Sequence, residues 1–207
     1  MAPLIEVSEK TLKGLEQLGV SYTLKEVQSD NNSFIHVPSK NLYVAKEKTH
    51  FEKNWFESHE ELQKQRLSMI PIPEFVEFLK HTKYDFPEIY NEITEIRNPW
   101  RAEWLDAFFE KREDGMYVLT RNKTKAEKLD DDTLMEDKRI SLKSWLNHPT
   151  NQGLPRKDVN EGGLYYWYPR DSSVARFGAL SGRADLSCSR NPRNRNSALG
   201  VRAVRRE

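Results

Sequence analysis

The residues of this chain whose side chains suit the binding of a partner are concentrated in its last part, Tyr165–Arg206. None of these 42 residues is Lys, Glu, Gln or Met, although 46 of the first 164 residues are, a rate that would place about 12 in the segment. Arg, Asn, Ser, Gly, Asp and aromatic residues are used instead. Antibody-like binding surfaces favour such residues, because rigid aromatic rings supply contact area and short polar side chains supply adaptable hydrogen bonds. The composition therefore favours recognition of a partner, with an arginine-rich solvent face as the plainer alternative.

Two stretches of this segment alternate between packing residues and residues of mixed character. Small or apolar residues such as Phe177 and Leu186 occupy every second position. Successive residues of a strand point to opposite faces, so the pattern predicts two strands with one buried and one exposed face. The positions predicted to be exposed are Gly178, Leu180, Gly182, Asp185, Ser187 and Ser189.

The stretch that follows, residues 190–197, contains no apolar residue other than Pro192 and is predicted to be an exposed loop. A last strand follows, in which Leu199, Val201 and Ala203 share one face. Phe177, Leu186, Leu199 and Val201 are expected to hold the frame together. The loop adds to the candidate binding residues Arg190, Asn191, Arg193, Asn194, Arg195, Asn196 and Ser197.

The elements that must position this segment are predicted to be helices early in the chain and strands late. Such an order is typical of an α+β fold, here with early helices packed on a mostly antiparallel sheet. The charged stretch 121–138 is expected to be a long loop. Helices are predicted at 8–19, at 51–66, from Glu74 onward after Pro73, and at 87–96; strands are predicted at 21–27 and 34–45 and as a hairpin over 100–120.

Charge distribution raises nucleic-acid binding as an alternative function. Residues 165–207 contain nine Arg against three acidic residues, a net charge of +6, whereas the rest of the chain sums to −5. A basic patch interleaved with Tyr165 and Trp167 could contact phosphates and stack on bases. Arg176 and Arg202 lie within apolar strand patterns, however, and are expected to be structural. We therefore expect a protein or surface partner and not a nucleic acid.

Nothing in the sequence predicts a metal, a cofactor or a catalytic motif. The five histidines have no metal-ligand spacing, and no phosphate-binding glycine motif or nucleophile elbow occurs. His59, beside two glutamates, is interpreted as part of a solvated helix face. The run Asp130–Asp132 could bind Ca²⁺ but lacks an EF-hand pattern, so a solvated acidic loop is the simpler interpretation.

A single cysteine, Cys188, excludes an internal disulfide. The N-terminus has no signal-peptide pattern and no apolar run reaches the length of a membrane span. We expect synthesis in the cytoplasm, with display on a cell surface or a virus particle left open.

Several motifs resemble the variable proteins of archaeal diversity-generating retroelements, over roughly residues 40–207. The tail carries the most specific part of the resemblance. The matching motifs are SVARF at 173–177, the spaced residues Ala184, Leu186, Cys188 and Pro192, LGVRAVR at 199–205, PEFVEFLK at 73–80, WRAEWLDA at 100–107 and YWYPRD at 166–171.

This resemblance implies a C-type-lectin-like fold with a hypervariable binding site on its C-terminal strands and loops. The retroelements mutate adenines, and variable AAY codons never yield Lys, Glu, Gln, Met or Trp, which would account for the composition. Residues 1–40 would then be an N-terminal helix and strand or an extension, and residues 41–207 the lectin-like domain, with the variable region at about 165–202. The resemblance adds Tyr166, Tyr168 and Arg170 to the candidate ligand-binding residues and makes Trp167 part of the scaffold, together with Trp104.

The same fold class contains formylglycine-generating enzymes, a second alternative, whose closing strand the final Gly-Val-Arg resembles. That chemistry needs a pair of cysteines, so Cys188 is expected to be a packing residue and the protein not to be an enzyme. The calcium-binding Glu-Pro-Asn and Gln-Pro-Asp triplets of sugar-binding lectins do not occur in the chain.

Overall fold

The computed structural model describes residues 33–121 and 126–206. The chain divides into two compact units, Met1–Asn31 and Asn32–Glu207, and only the second is described below. The helix and the strand predicted within residues 8–27 lie outside the described residues.

The described part is an α+β structure built on one mostly antiparallel sheet of eleven strands, as the sequence predicts. Eight strands follow one another in the order β1-β2-β11-β4-β9-β10-β8-β7; off this path, β3 pairs with β11, β5 with β4, and β6 with β5. Only the pairs β8–β10 and β4–β11 are parallel. The strands are β1 Phe34–Val37, β2 Leu42–Thr49, β3 Ser68–Met69, β4 Arg101–Arg112, β5 Gly115–Leu119, β6 Glu127–Lys128, β7 Lys138–Ile140, β8 Leu164–Trp167, β9 Ser173–Ala179, β10 Ala184–Arg190 and β11 Leu199–Arg206.

Four α-helices lie in the described residues, and their starts follow ordinary capping chemistry. Asn54 caps the first with a capping box, in which it exchanges hydrogen bonds with Glu57. Pro73 and Pro87 lie in the first turns of the next two, where a missing N–H costs nothing. The helices are α1 Trp55–Lys64, α2 Ile72–Asp85, α3 Pro87–Thr94 and α4 Leu142–Asn147.

Helices α2, α3 and α4 cover one face of the sheet. The predicted stripe of α2 is buried, and Phe75 meets Phe177 of β9 at a ring distance of 5.3 Å. Trp145 of α4 stacks on the other side of Phe177 at 6.3 Å. Leu186 and Cys188 of β10 belong to the same cluster. Three predicted packing residues of the tail, Phe177, Leu186 and Cys188, therefore lie in the larger core.

Helix α1 packs against the opposite face. Trp55 is buried and donates a hydrogen bond from its indole N–H to the Leu105 carbonyl at 3.0 Å. Trp104 lies in the same cluster, together with Leu199 and Val201 of β11. The prediction that Trp104, Leu199 and Val201 are buried is thus confirmed.

The predicted hairpin over residues 100–120 is formed by β4 and β5. Gly115 opens β5 with a positive φ of 147°, a conformation that side chains with a Cβ rarely adopt. The stretch 121–138 differs from the predicted long loop, because β6 pairs with β5 and β7 begins at Lys138.

Arg202 is buried in an ion cluster, as its place in an apolar strand predicts. Its guanidinium contacts Glu103 and Glu92, each at 3.0 Å. Arg101 contacts the same two carboxylates at 3.1 Å. Burial opposes ionisation of Glu103, but Arg101 and Arg202 together hold its pKa below the ordinary value. The cluster ties β11 and β4 to α3, so Arg202 stabilises the frame and does not contact solvent.

Candidate functional site

The loop between β10 and β11 is fixed to the scaffold through its backbone. The N–H of Trp55, the first residue of α1, donates to the carbonyl of Pro192 at 2.9 Å. The Glu52 N–H donates to the carbonyl of Asn196 at 3.2 Å. These bonds use N–H groups just before and at the start of a helix, which have no partner within the helix itself. The loop backbone therefore has a defined position while the side chains can differ.

Two short turns give the loop its internal shape. The Asn191 side-chain oxygen accepts the Arg193 N–H at 2.9 Å, and the Asn191 carbonyl accepts the Asn194 N–H at 3.1 Å. The Asn196 side-chain oxygen accepts the Ala198 N–H at 2.8 Å. Asparagine suits such turns because its short side chain reaches its own backbone two residues on. Asn191 and Asn196 thus shape the loop, and the side chains available for recognition are those of the other exposed residues.

A cleft of about 540 Å³ opens beside this loop. It gathers residues from three parts of the chain: the loop, the connection before β9, and the scaffold. Five predicted binding residues line it together with the half-buried rings of Phe56 and Phe108. The five are Arg170, Ser189, Arg190, Asn191 and Arg193.

Beneath the cleft, a buried carboxylate contacts two arginines. Asp185 is fully buried, and both of its oxygens accept hydrogen bonds from Arg176 Nη2, at 3.0 and 2.9 Å. Arg190 Nη2 lies 3.5 Å from the same carboxylate. Burial, followed by repulsion from Arg176, lowers the pKa of Arg190. Asp185 therefore holds in place an arginine that lines the cleft.

Several polar atoms around this carboxylate are buried without a hydrogen bond. A planar guanidinium offers five N–H donors, so one carboxylate cannot satisfy all the donors of two guanidinium groups. Arg183 adds a third guanidinium nearby, 5.0 Å above the ring of Tyr165. Five of the unpartnered buried atoms of the described residues belong to β8, β10, Arg176 and Arg183: Trp167 Nε1, Arg176 Nε, Arg183 Nε, Ser187 Oγ and Arg190 Nε. This surplus of donors over acceptors marks the cleft side of the sheet as electropositive.

The expectation that four of the candidate residues face solvent is wrong. Gly178, Asp185 and Ser187 are buried, and the guanidinium groups of Arg176 and Arg190 lie against the Asp185 carboxylate on this face of the sheet. A Cβ at Gly178 would lie 2.8 Å from Asp185 Oδ1. Tyr166 is also fully buried, in the helix-covered core, where its hydroxyl donates to the Leu134 carbonyl at 3.1 Å. None of these four residues lines the cleft.

The remaining candidates fall at two ends of β10. Leu180 and Gly182 lie in the turn that leads into β10, half-buried and exposed respectively. Arg190, predicted to lie in the loop, is the half-buried last residue of β10, and the loop 191–198 follows this other end, about 20 Å from the turn for a strand of seven residues. Asn191, Arg193, Asn194, Arg195, Asn196 and Ser197 are exposed there, and Ser189 is half-buried.

Tyr168 and Arg170 precede β9 and lie near the cleft. Tyr168 is half-buried, with the Arg170 guanidinium 5.2 Å above its ring. Arg170 is exposed and forms an ion pair with Asp137 at 3.0 Å. Trp167, predicted to belong to the scaffold, is half-buried.

Sequence reasoning missed the scaffold side of the cleft. Phe56 of α1 and Phe108 of β4 are far apart in the sequence, and both pack against the second core cluster. Asp171 also lines the cleft and accepts the Lys111 N–H at 2.8 Å, which holds its pKa below the ordinary value. The YPRD run beside a strand start could have suggested Asp171, but nothing in the sequence pointed to Phe56 or Phe108.

His59 is not part of a solvated helix face, as the sequence suggested. It is buried against Trp55, with ring centres 4.2 Å apart, and its Nε2 lies 3.3 Å from Asp106 Oδ1 without hydrogen-bond alignment. Asp106 also lines a second cleft of about 520 Å³. That cleft contains none of the candidate residues, and residues 122–125, between two of its lining positions, lie outside the described part.

The acidic run has structural contacts in this molecule. Asp130 accepts the Asn151 N–H at 2.9 Å and the Gln152 amide at 3.1 Å. Asp132 forms an ion pair with Arg156. Within residues 33–121 and 126–206, no group of three or more His, Cys, Asp or Glu side chains is arranged to bind a metal ion. None of the helices described is both long and apolar enough to cross a membrane.

We compared the chain with known proteins, and no family model, no curated protein and no solved structure matches it.

Proposed function

We propose that this chain is a non-enzymatic ligand-binding protein that presents a retroelement-diversified site on a rigid, C-type-lectin-like scaffold. The observation that carries the proposal is the anchoring of the β10–β11 loop by backbone hydrogen bonds, Trp55 to Pro192 and Glu52 to Asn196. Backbone anchors do not depend on which side chains the loop carries. Arg193, Asn194 and Ser197 can therefore change without loss of the loop position.

The cleft beside the loop gives the proposed site its depth. Binding energy at protein interfaces is concentrated in a few central aromatic and arginine side chains within a polar surround. Phe56 and Phe108 would provide fixed apolar contact, and Arg190 and Arg193 would provide variable polar contact. Because the frame is ordered before the ligand arrives, little conformational entropy is lost on binding.

A formylglycine-type enzyme is less well supported. Cys188 is fully buried, and burial raises the pKa of its thiol well above the ordinary value. A thiol that stays protonated and shielded is a poor nucleophile. The chain has no second cysteine to complete a pair.

Nucleic-acid binding is also less well supported. Arg176 and Arg202 are buried in ion pairs, and Arg101 beside them is likewise paired. These side chains cannot contact phosphates without loss of the fold. A nucleic-acid binder should bind a polyanionic resin with strong salt dependence, whereas we expect elution at or below physiological ionic strength.

The nucleotide sequence around the gene tests the proposal. We expect a near-identical template repeat beside a reverse-transcriptase gene, differing from the coding copy mainly at adenines. The differences should fall in codons for residues such as Arg193 and Asn194 and spare Leu186 and Val201. A locus without such a repeat, or with differences spread evenly over frame and loop codons, would contradict the proposal.

A further inference from the structure

The cleft beside the β10–β11 loop has an unbalanced charge. Three guanidinium groups line it, from Arg170, Arg190 and Arg193, against the single carboxylate of Asp171. Arg170 is already paired with Asp137 outside the cleft. The unsatisfied positive charge is therefore concentrated on Arg190 and Arg193.

Arg190 is held in place by an interaction that leaves most of its donors free. Within residues 33–121 and 126–206, its one contact with a carboxylate is the 3.5 Å approach of Nη2 to Asp185, whose oxygens are both already bonded to Arg176. Its Nε is buried and has no hydrogen-bond partner. About a third of the side chain remains exposed, at 34%. Arg190 is thus a fixed guanidinium that lacks a strong acceptor.

Arg193 supplies a second cation from the loop. Its backbone N–H is fixed by Asn191 at 2.9 Å, but its guanidinium makes no ion pair within the described residues. Charge-assisted hydrogen bonds from a guanidinium to a carboxylate are about twice as strong as neutral ones, and the planar fork favours bidentate geometry. Two such groups at one rim form a receptor for a carboxylate.

The wall of the cleft next to these cations is apolar. Phe56, Phe108 and Pro192 are half-buried and line the same cleft. An occupant must therefore combine an anionic group with an adjacent apolar side chain. Nucleic acid would instead call for open aromatic faces on which bases can stack, and the cleft rings are partly buried in the second core cluster.

We propose that the cleft recognises a protein segment in which an Asp or Glu side chain neighbours an apolar side chain. The carboxylate would accept hydrogen bonds from Arg190 and Arg193, and the apolar side chain would pack on Phe56 and Phe108. This inference rests on the proposed binding function and adds the chemical class of the ligand. Asp185 acts in it as a positioning residue, since it contacts Arg190 from beneath.

Panning a random linear peptide display library against the immobilised full chain tests the inference. We expect the enriched peptides to share an acidic residue beside an aromatic or aliphatic one. Replacing that acid by its amide in a synthetic peptide should weaken binding about tenfold or more, as loss of a charge-assisted pair implies. Enriched peptides that bind the loop but carry no acidic residue would overturn the inference and leave the binding function standing. If panning enriches no peptide whose binding is weakened by the arginine variants described below, the result would contradict both this inference and the proposed binding function.

Variants of the two arginines complete the test. Arg193→Gln and Arg190→Gln should each weaken the acidic peptide about tenfold while barely changing its amide counterpart. Arg66→Gln, at an exposed arginine just after α1, is the matched control and should change neither. Because Arg193 is exposed, we expect Arg193→Gln to fold normally, so it still tests the inference if Arg190→Gln folds poorly. Equal binding of the acidic peptide to Arg193→Gln and the unmodified chain would refute the role of the arginine.

Discussion

Asp185 and Arg176 form a buried ion pair in which a single guanidinium nitrogen, Nη2, lies 2.9 and 3.0 Å from the two carboxylate oxygens. The two residues lie on neighbouring strands, two positions out of direct register, because Asp185 pairs with Gly178 and Arg176 with Ser187. The pair is part of the frame beneath the cleft. Diversification at position 185 would therefore alter the support of Arg190 as well as the side chain itself.

Removal of Asp185 should be costly. Asp185→Ala leaves Arg176 buried and Arg190 half-buried without their carboxylate, and breaking a buried pair in this way costs about 3–5 kcal/mol of unfolding free energy. Urea unfolding measures the loss. The control is Glu110→Ala, which breaks an exposed pair with Arg112 and should cost less than about 1 kcal/mol. Similar losses in both variants would contradict the buried pair.

Substitutions in the loop should be tolerated where substitutions in the frame are not. Arg193→Ala and Asn194→Tyr should each change the free energy of unfolding by less than about 0.5 kcal/mol, since both side chains are exposed. Leu186→Ala should cost about 2–5 kcal/mol, because Leu186 is fully buried. Thermal and urea melts compare them, and equal losses would remove the distinction between loop and frame.

Lys48 should destabilise the fold at neutral pH. Burial, followed by repulsion from Arg101, lowers its pKa from 10.5 to about 8. Between these values the unfolded chain binds a proton that the folded chain does not, so the Lys48 contribution to stability rises with pH through that window. Below pH 8 Lys48 stays protonated in the folded chain, and the burial of its charge then lowers the stability of the fold by the full amount.

Lys48→Met should accordingly raise the melting temperature at pH 7 and raise it much less at pH 10. Lys64→Met, at a side chain that is 69% exposed, is the control and should show no such pH dependence. A gain of the same size at both pH values would show that packing, not charge, accounts for the effect.

The thiol of Cys188 should be unreactive in the folded protein. It is buried in the larger core, and burial raises its pKa, so little thiolate forms at neutral pH. Iodoacetamide should label it slowly under native conditions and rapidly in concentrated urea. Native labelling as fast as that of the unfolded chain would reopen the enzymatic alternative.

The local elements of this fold could be predicted from sequence because each has a local cause. Asn54 and Glu57 define the start of α1, Pro73 and the apolar stripe define α2, and Gly115 defines the turn between β4 and β5. Each signal depends on residues within a few positions of one another. The loop at 190–197 was predictable for the same reason, since it contains almost no apolar residue.

The burial of Asp185 and Ser187 could not be predicted in the same way. Alternation shows that a strand has two kinds of face, but it does not show whether the polar face meets solvent. That depends on what covers the face, and here the guanidinium groups of Arg176 and Arg190 lie against Asp185 only once the strands have paired. A buried aspartate is stable only with a partner, and Arg176 becomes that partner through strand register. The apolar wall of the cleft, formed by Phe56 and Phe108, also could not be predicted, because it depends on tertiary contacts.

Selection from a loop library tests the central claim most directly. Arg193, Asn194 and Ser197 would be randomised together in the displayed full chain, and the library would be selected for binding to a model protein such as lysozyme. We expect binders to emerge whose melting temperatures stay within a few degrees of the parent, because the anchors at Pro192 and Asn196 use only backbone atoms. A library that yields no binders, or binders only among unfolded variants, would contradict a rigid frame with interchangeable recognition residues.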